Sequence, residues 1–343
     1  MANRRVTLKD IAEELQVSVT TVSKAINKHP DISVARRKQI MQLLEERRYV
    51  PNIMAKNLRS AKTRFISLIV SDNTNPYYAK VIKGVEAVLS RQGYHTIISN
   101  NNENPQVETN LLNEIISINV AGVLITPALG NGESIKVLAE NNVPYVLLHR
   151  YIDKDHDNYV VADDEKAAYI GTRYLVEKHG SCVGFINANQ SISTAYNRLS
   201  GYKKALEESG IPFNENFVIE NVFNQDDGYK AASLAVERMG NGRFSLLCYS
   251  DYIAVGVMHG IREQNLAIPK DVAIMGIDGI EMFSYFYPGL SSVHLPKYEL
   301  GVKAAELLLE MIEYRNSEDY SESEDQRETR IICDPSLEIK GTA

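Results

Sequence analysis

The sequence has no tryptophan, and it has only three cysteines among its 343 residues. Cys182, Cys248 and Cys333 lie far apart and follow no metal-ligand spacing, so we predict small buried or half-buried thiols and no metal site. No run of 18 apolar residues occurs, which excludes a membrane-spanning helix. The first ten residues lack the apolar core of a signal peptide, so the expected location is the cytoplasm.

Signatures of catalysis are also missing. The sequence contains no P-loop, no G-x-G-x-x-G, no H-E-x-x-H and no G-x-S-x-G. The spacing of its Ser, His and Asp residues suggests no catalytic group either. We therefore expect a protein that is not an enzyme and that uses no cofactor.

Charge is unevenly distributed along the chain. The net charge is −7, which taken alone argues against binding to nucleic acid. Residues 1–64, however, hold 14 Lys and Arg against 6 Asp and Glu, whereas the rest holds 23 against 38. A basic head on an acidic body is typical of a head that binds a polyanion.

The first 50 residues have the pattern of a helix-turn-helix head. Thr7, with Asp10 three residues later, predicts the start of a first helix. Residues 16–18 then form a tight turn, and Ser18 can cap a second helix. Ser33 is placed to cap a third. Two short helices joined by a tight turn, the second with a polar outer face, predict a unit that inserts its second helix into the major groove of double-stranded DNA.

The first turns of the second helix carry the candidate base contacts. Val19 and Thr20 are small and offer an apolar surface and a hydroxyl to base edges, and Lys24 can reach guanine acceptors or a phosphate. Thr21, Ser23 and Asn27 are assigned to phosphate contacts, which position a protein without specifying sequence. Thr7 and Ser18 complete the predicted DNA-binding set of the head. The alternative is that these are ordinary solvent-exposed helix positions.

From residue 65 the pattern changes to alternating strands and helices. Short apolar runs such as FISLIV (65–70), AGVLIT (121–126) and VAIMGID (272–278) predict buried strands, and helical stretches separate them. This alternation predicts two successive α/β lobes, each a doubly wound parallel sheet. The predicted first lobe is about 65–162 plus 296–325, and the second is about 163–291 plus 326–343. In such sheets a ligand binds outside the carboxyl ends of the strands, here in the cleft between lobes.

The chain resembles the lactose repressor (LacI/GalR) family of bacterial transcription regulators over nearly its whole length. The resemblance rests first on TLKDIAEELQVSVTTVSKAIN (7–27) and VPNIMAKNLRS (50–60). It implies a body with the fold of periplasmic sugar-binding proteins. It also implies that residues 51–64 form a hinge helix and linker, in which Asn52, Ala55 and Leu58 face DNA and Leu58 is a wedge in the minor groove. The alternative for Leu58 is a linker leucine packed on the body.

The same resemblance supplies candidates for the effector site. NRLSGYKKAL and IMGIDG match family motifs that place Arg198 and Asp278 at the effector, and NPYY lines the first-lobe side. Of the two tyrosines, we expect one to point into the core and favour Tyr77 toward the cleft. The full predicted set, which includes residues that follow the strands, is Asn73, Tyr77, Tyr78, His149, Arg150, Arg198, Phe223, Ser250, Asp251 and Asp278.

The sequence thus predicts a ligand-controlled transcription regulator, and a repressor is the role it favours. We expect a homodimer that binds a pseudo-palindromic operator, with a sugar or sugar derivative as inducer. His149 beside Arg150 and Arg198 leaves room for an acidic sugar or a sugar phosphate. Two alternatives stay open: the effector could act as a corepressor and not be a sugar, or a partner protein could control the regulator.

Overall fold

The computed structural model describes residues 6–49, 63–130, 132–240, 242–317 and 329–343. The chain divides into two compact units, Met1–Lys62 and Thr63–Ala343. The hinge candidates Asn52, Ala55 and Leu58 lie outside the described residues. In the described part of the chain, no helix is long and apolar enough to cross a membrane.

In residues 6–49, the described part of the head, there are three helices, namely α1 (Leu8–Glu14), α2 (Val19–Ile26) and α3 (Val34–Glu46). A capping box starts α1, because the Thr7 hydroxyl accepts from the Asp10 N–H while the Asp10 carboxylate accepts from the Thr7 N–H at 2.8 Å. Ser18 Oγ accepts from the Thr21 N–H at 3.0 Å and so caps α2. Ile11, Val22, Ile40, Leu43 and Leu44 are buried in a small core. The predicted helix-turn-helix pattern is confirmed in this fold.

In the residues that the structure describes, the first lobe of the body contains one sheet and four α-helices. Its strands are β1 (Phe65–Val70), β2 (His95–Asn100), β3 (Gly122–Ile125), β4 (Tyr145–Leu148), β5 (Tyr159–Ala162) and β11 (Arg330–Cys333). Their spatial order is β11-β5-β4-β3-β1-β2, and every pair is parallel. Its helices are α4 (Pro76–Leu89), α5 (Pro105–Ser117), α6 (Glu133–Glu140) and α12 (Lys297–Arg315). Both faces of the sheet are covered, since α4 and α12 contribute to one hydrophobic cluster while α5 and α6 contribute to another.

The second lobe repeats this plan. Its strands are β6 (Val183–Ile186), β7 (Val218–Ile219), β8 (Phe244–Cys248), β9 (Val272–Asp278), β10 (Ser291–His294) and β12 (Ser336–Glu338). Their order is β12-β10-β9-β8-β6-β7, and only β10 with β12 is antiparallel. Its helices are α7 (Asp164–His179), α8 (Ser193–Glu208), α9 (Gln225–Met239), α10 (Asp251–Glu263) and the short α11 (Glu281–Ser284). Strands β4 and β9 hold the same place in the two sheets, so their carboxyl ends occupy equivalent positions.

The chain crosses between the lobes three times: from β5 to α7, from β10 to α12, and from β11 to β12. The last crossing corrects the predicted range 326–343, which assigned the whole C-terminal segment to the second lobe. Residues Arg330–Cys333 pair with β5 of the first lobe, and only Ser336–Glu338 pair with β10 of the second. The physical reason is that β5 and β10 each leave a free edge, and each edge takes one short strand.

Candidate functional site

A cavity of about 520 Å³ lies between the two lobes, at the carboxyl ends of their strands. Both lobes contribute to it, because a ligand site of a parallel sheet lies outside the carboxyl ends of the strands. It is lined by Ser71, Asp72, Asn75, Tyr77, Tyr78, Asn102, Glu103, Leu129, His149, Arg150, Ala188, Ile192, Arg198, Val222, Phe223, Asn224, Tyr249, Ser250, Tyr252 and Asp278.

Eight of the ten predicted effector residues line this cavity. They are Tyr77, Tyr78, His149, Arg150, Arg198, Phe223, Ser250 and Asp278. Tyr77 and Tyr78 are 2% and 3% exposed, and both border the cavity and belong to the hydrophobic core of the lobe, so the expectation that one of them points into the core and Tyr77 toward the cleft stays a prediction. Their assignment to an effector stays a prediction.

Two predicted residues lie outside the cavity lining. Asn73 is exposed in the loop after β1, where its N–H donates to Asn100 Oδ1 at 3.1 Å and the following Asn75 caps α4 instead. Asp251 is 1% exposed, and its carboxylate accepts from the Ile280 N–H at 2.6 Å and from Ser292 Oγ at 2.5 Å. Each carboxylate oxygen of Asp251 accepts one hydrogen bond from the protein, so this carboxylate supports the turn after β9 and does not border the cavity.

Arg198 is the most deeply buried cation at the cavity. It projects from α8, is 0% exposed, and donates through Nε to Asp164 Oδ1 at 2.7 Å. Its Nη1 donates to the Tyr249 carbonyl, and its guanidinium lies 4.4 Å from the centroid of the Tyr249 ring. Its Nη2 has no hydrogen-bond partner among the described residues and lies 3.9 Å from Asp278 Oδ1. Because a buried donor without a partner is costly, Nη2 is a donor available to a ligand.

On the first-lobe side of the cavity, the residues that correspond to Arg198 are His149 and Arg150, which follow β4. His149 Nδ1 lies 3.0 Å from the Tyr77 hydroxyl. Burial, with Arg150 and Arg198 nearby, lowers the pKa of His149 well below its ordinary value, so the imidazole is neutral at pH 7. Arg150 makes a bidentate pair with Glu103, with both N–O distances at 2.9 Å, and donates to the Pro127 carbonyl at 3.1 Å.

Asp278 ends β9 at the position equivalent to His149 in the other sheet. Both residues have a positive φ, 130° for Asp278 and 72° for His149, a conformation that non-glycine residues adopt at a cost of about 1–3 kcal/mol. Burial raises the pKa of Asp278 despite the attraction of Arg198. The backbone carbonyl of Asp278 accepts from the buried ammonium of Lys297, which also donates to the Gly279 carbonyl at 3.0 Å and the Leu295 carbonyl at 3.2 Å.

Several residues that line the cavity were not predicted from the sequence. Asn102 and Glu103 follow β2, so they hold the same kind of position, just after a strand, as several of the predicted residues. Tyr249 directly precedes the predicted Ser250, but its backbone carbonyl and ring both serve Arg198, which no motif indicates. Leu129 and Ile192 have no sequence signal, because their role depends on how the lobes meet.

Both arginines at the cavity are paired with carboxylates of the protein. Arg150 pairs with Glu103, Arg198 pairs with Asp164 and lies near Asp278, and His149 is neutral. The room expected beside His149, Arg150 and Arg198 for an acidic sugar or sugar phosphate stays a prediction. Among the described residues, no group of three or more His, Cys, Asp or Glu could hold a metal ion.

In the head, α2 presents a polar outer face. Val19 is 38% exposed, and Thr20 is also exposed, on the first turn. Lys24 forms an exposed ion pair with Asp31 at 2.7 Å. Asn27 uses its amide to donate to the Ser23 carbonyl at 2.9 Å, and the hydroxyls of Ser18 and Thr21 lie 2.8 Å apart. The predicted contacts of these residues with DNA stay predictions.

Known proteins share both units. Residues 63–336 match the family described as periplasmic binding proteins and sugar binding domain of LacI family, and residues 7–52 match bacterial regulatory proteins of the lacI family. The HTH-type transcriptional repressor PurR of Vibrio atlanticus (strain LGP32) is 31% identical over 313 residues, 91% of this chain and 93% of that protein. Catabolite control protein A of Priestia megaterium is 30% identical over 328 residues, 95% of this chain and 97% of that protein.

Solved structures give the same result. The complex of the transcriptional regulator CelR with cellobiose is 25% identical, with a TM-score of 0.74 over 99% of this chain and 100% of that chain. The lac repressor dimer bound to operator and the anti-inducer ONPF has a TM-score of 0.82 over 99% of each chain, and its 22% identity shows likeness of fold alone. The chain belongs to the LacI family of DNA-binding transcriptional regulators.

Proposed function

We propose that this protein is a repressor whose operator affinity is controlled by a neutral carbohydrate bound between the lobes of its body. The observation that carries the proposal is the cavity itself, where Arg198 Nη2 lies 3.9 Å from Asp278 Oδ1 and where Arg150 and Arg198 are both paired with carboxylates of the protein. One hydroxyl of a vicinal diol can accept from the guanidinium, and the other can hydrogen-bond to the Asp278 carboxyl, whose pKa is raised by burial. Because Arg150 and Arg198 both have carboxylate partners, an acidic ligand would find no unpaired arginine here, which favours a neutral ligand.

The rest of the lining supports a polyhydroxylated ligand. Tyr77, Tyr249 and Tyr252 border the cavity with aromatic surface, and Phe223 is 43% exposed at its second-lobe side. Rings of this kind cover the apolar face of a sugar, while hydroxyl and amide groups around them select its orientation. The family description of residues 63–336 as a sugar-binding domain is consistent with this choice.

We propose that the protein is a homodimer and that its two heads bind the operator DNA with an affinity that the ligand controls. Two heads would read the half-sites of a pseudo-palindrome through α2. Ligand binding would change the relation between the lobes and hence the operator affinity. A coupling of about 1–3 kcal/mol suffices for a 5- to 150-fold change. We favour release from DNA, so the carbohydrate would be an inducer.

A thermal-shift screen of the purified chain tests the ligand class. The panel holds cellobiose, glucose and ribose, their acidic and phosphorylated derivatives, and the nucleobases hypoxanthine and guanine. We expect at least one neutral sugar to raise Tm, because a ligand that binds only the native state stabilises it by about 2.7 kcal/mol at 100 times its Kd. Stabilisation by sugar phosphates but not by neutral sugars would overturn the proposal.

Two matched variants locate the binding. Asp278→Asn should weaken the shift, because an amide NH₂ replaces one carboxyl oxygen beside the Arg198 guanidinium. Asn73→Ala should leave the shift in Tm unchanged, because Asn73 lies outside the cavity lining.

An operator selected from random DNA then distinguishes an inducer from a corepressor. When the compound is added to the binding assay, an inducer weakens the complex with DNA and a corepressor strengthens it.

A nucleobase corepressor is the second candidate. It is favoured by the tilted contact between the Tyr77 and His149 rings, whose centroids lie 4.7 Å apart at the cavity wall, and by similarity to proteins named PurR. A planar heterocycle could stack at that wall. Stabilisation by hypoxanthine or guanine, with tighter operator binding, would replace the carbohydrate proposal with this one.

A further inference from the structure

Apart from the three chain crossings, the two lobes are joined by side-chain contacts, and one residue makes two of them. Tyr151 belongs to the loop after β4 in the first lobe, and it directly follows His149 and Arg150. Its N–H donates to Ser193 Oγ at 3.0 Å, at the first residue of α8 in the second lobe. Its hydroxyl lies within hydrogen-bond distance of both ends of the Asn197 amide, at 2.9 Å from Nδ2 and 3.3 Å from Oδ1.

These contacts join the two segments that bring opposing side chains to the cavity. On the first-lobe side, the residues next to Tyr151 are His149 and Arg150. On the second-lobe side, the residue next to Asn197 is Arg198, which α8 carries into the cavity. The backbone and the hydroxyl of Tyr151 contact successive turns of α8, so the contact fixes orientation as well as distance.

The ring of Tyr151 is itself held in place. It stacks on Tyr159 of β5 with centroids 4.9 Å apart and an interplanar angle of 30°. Tyr159 is 1% exposed, and its hydroxyl donates to the Lys154 carbonyl of the same lobe at 3.5 Å. The first lobe therefore presents the Tyr151 hydroxyl to α8 on a rigid aromatic support, with little side-chain freedom left to lose.

The contact can also be broken. Tyr151, Tyr159 and Asn197 line a second cavity, of about 510 Å³, which also includes Asp164 and Lys204. Water in this cavity can replace the Tyr151–Asn197 hydrogen bonds at small net cost, because exchange of a protein partner for water changes the free energy little. An interlobe contact with these properties is reversible and suits a regulated movement.

We propose that Tyr151 is a positioning residue, which latches the loop after β4 onto α8 and so sets the spacing of His149–Arg150 and Arg198 across the cavity before any ligand is bound. Its relevance to control rests on the proposed function, but the latch itself concerns the ligand-free protein. The predicted consequence is that loss of the Tyr151 hydroxyl loosens α8 in the opposite lobe while the fold of each lobe is kept.

Hydrogen–deuterium exchange of the full ligand-free chain, followed by mass spectrometry, tests the latch. In Tyr151→Phe, the stack on Tyr159 is kept and only the hydroxyl is lost. We expect exchange to become roughly two- to tenfold faster in peptides covering 150–158 and also 189–198, the factor that one net hydrogen bond supplies. Asn197→Ala, on the other side of the contact, should give the same pattern, and the double variant should add little.

Tyr159→Phe is the matched control, because it removes a hydroxyl from the same stack whose hydrogen bond, among the described residues, goes to Lys154 of the first lobe. It should leave exchange at 189–198 unchanged. The proposal is overturned if Tyr151→Phe and Asn197→Ala leave that peptide at the wild-type rate, or if Tyr159→Phe accelerates it equally. No ligand enters this experiment, so a failed carbohydrate screen and a failed latch are separate results.

Discussion

At the scale of single residues, His149 gives the cavity a pH response. Its pKa is lowered chiefly by burial, and then by Arg150 and Arg198. In the unfolded chain its pKa is about 6.5. As the pH falls below that value the unfolded state binds more protons than the native state, so the free energy of unfolding decreases. Above it both states are neutral at this residue, and it contributes no slope.

His149→Asn should remove this contribution. Asparagine tolerates the φ of 72° at this position and stays neutral at every pH. Chemical denaturation at steps between pH 8 and pH 5 should therefore show the wild type losing more stability below about pH 6.5 than the variant. Between pH 7.5 and pH 8 the difference between the two proteins should be constant. Equal slopes below pH 6.5 would mean that His149 is not desolvated as described.

The predictability of the site also differs residue by residue. Arg198 and Asp278 could be found from short motifs, because a LacI-type motif has a fixed place at a strand or helix end. Asp251 could not be separated from the cavity lining, because its two hydrogen bonds come from Ile280 and Ser292, which are far away in sequence. The pairing of Arg150 with Glu103, which neutralises the charge of Arg150, likewise depends on two loops meeting.

At the scale of elements, the packing of α7 against α8 brings Asp164 and Arg198 together. The helices approach closely at Gly201, where an added Cβ would lie 1.9 Å from the Glu165 carbonyl oxygen. That contact is with backbone, so the helices would have to separate. Any separation here also strains the buried pair of Arg198 and Asp164, one turn away.

Gly201→Ala should therefore destabilise the protein by about 1–3 kcal/mol or more, as overpacking does. Gly242 offers a control, because its added Cβ would meet nothing within 4 Å, so Gly242→Ala should change stability little. Urea denaturation of both variants measures the difference. A Gly201→Ala variant as stable as Gly242→Ala would show that α7 and α8 can move apart freely.

Elements were predictable where they were long and strongly patterned. The run 65–70 forms β1 and the run 272–278 forms β9 over the residues expected. Tyr159–Ala162 and Ser291–His294 were missed, because no full-length helix separates either of them from the preceding strand, so the alternation of strand and helix does not mark them. The C-terminal segment was assigned to the second lobe alone, because the sequence does not show that it adds a strand to each lobe.

At the scale of the whole molecule, charge is divided between a basic head and an acidic body. Fourteen Lys and Arg lie in residues 1–64, yet the chain carries a net charge of −7. If the net charge of the whole chain governed DNA binding, the negatively charged phosphates of DNA would repel the protein. Phosphate contacts respond mainly to charges within a Debye length, about 8–10 Å at moderate salt, so the local charge of the head should dominate.

Binding of the intact protein to a random-sequence duplex tests this without knowledge of the operator. Each neutralised phosphate releases counterions, so the logarithm of the binding constant should fall linearly with the logarithm of salt concentration. We expect the binding constant to fall about tenfold or more between 50 and 200 mM salt, measured by fluorescence anisotropy.

Two charge variants separate the head from the body. Asp31→Asn, which releases Lys24 from its ion pair and removes a negative charge beside α2, should tighten binding at low salt. Asp334→Asn also removes one negative charge, but from the body, where it should have no such effect. Equal tightening by both variants would mean that total charge, and not the charge of the head, controls the encounter with DNA.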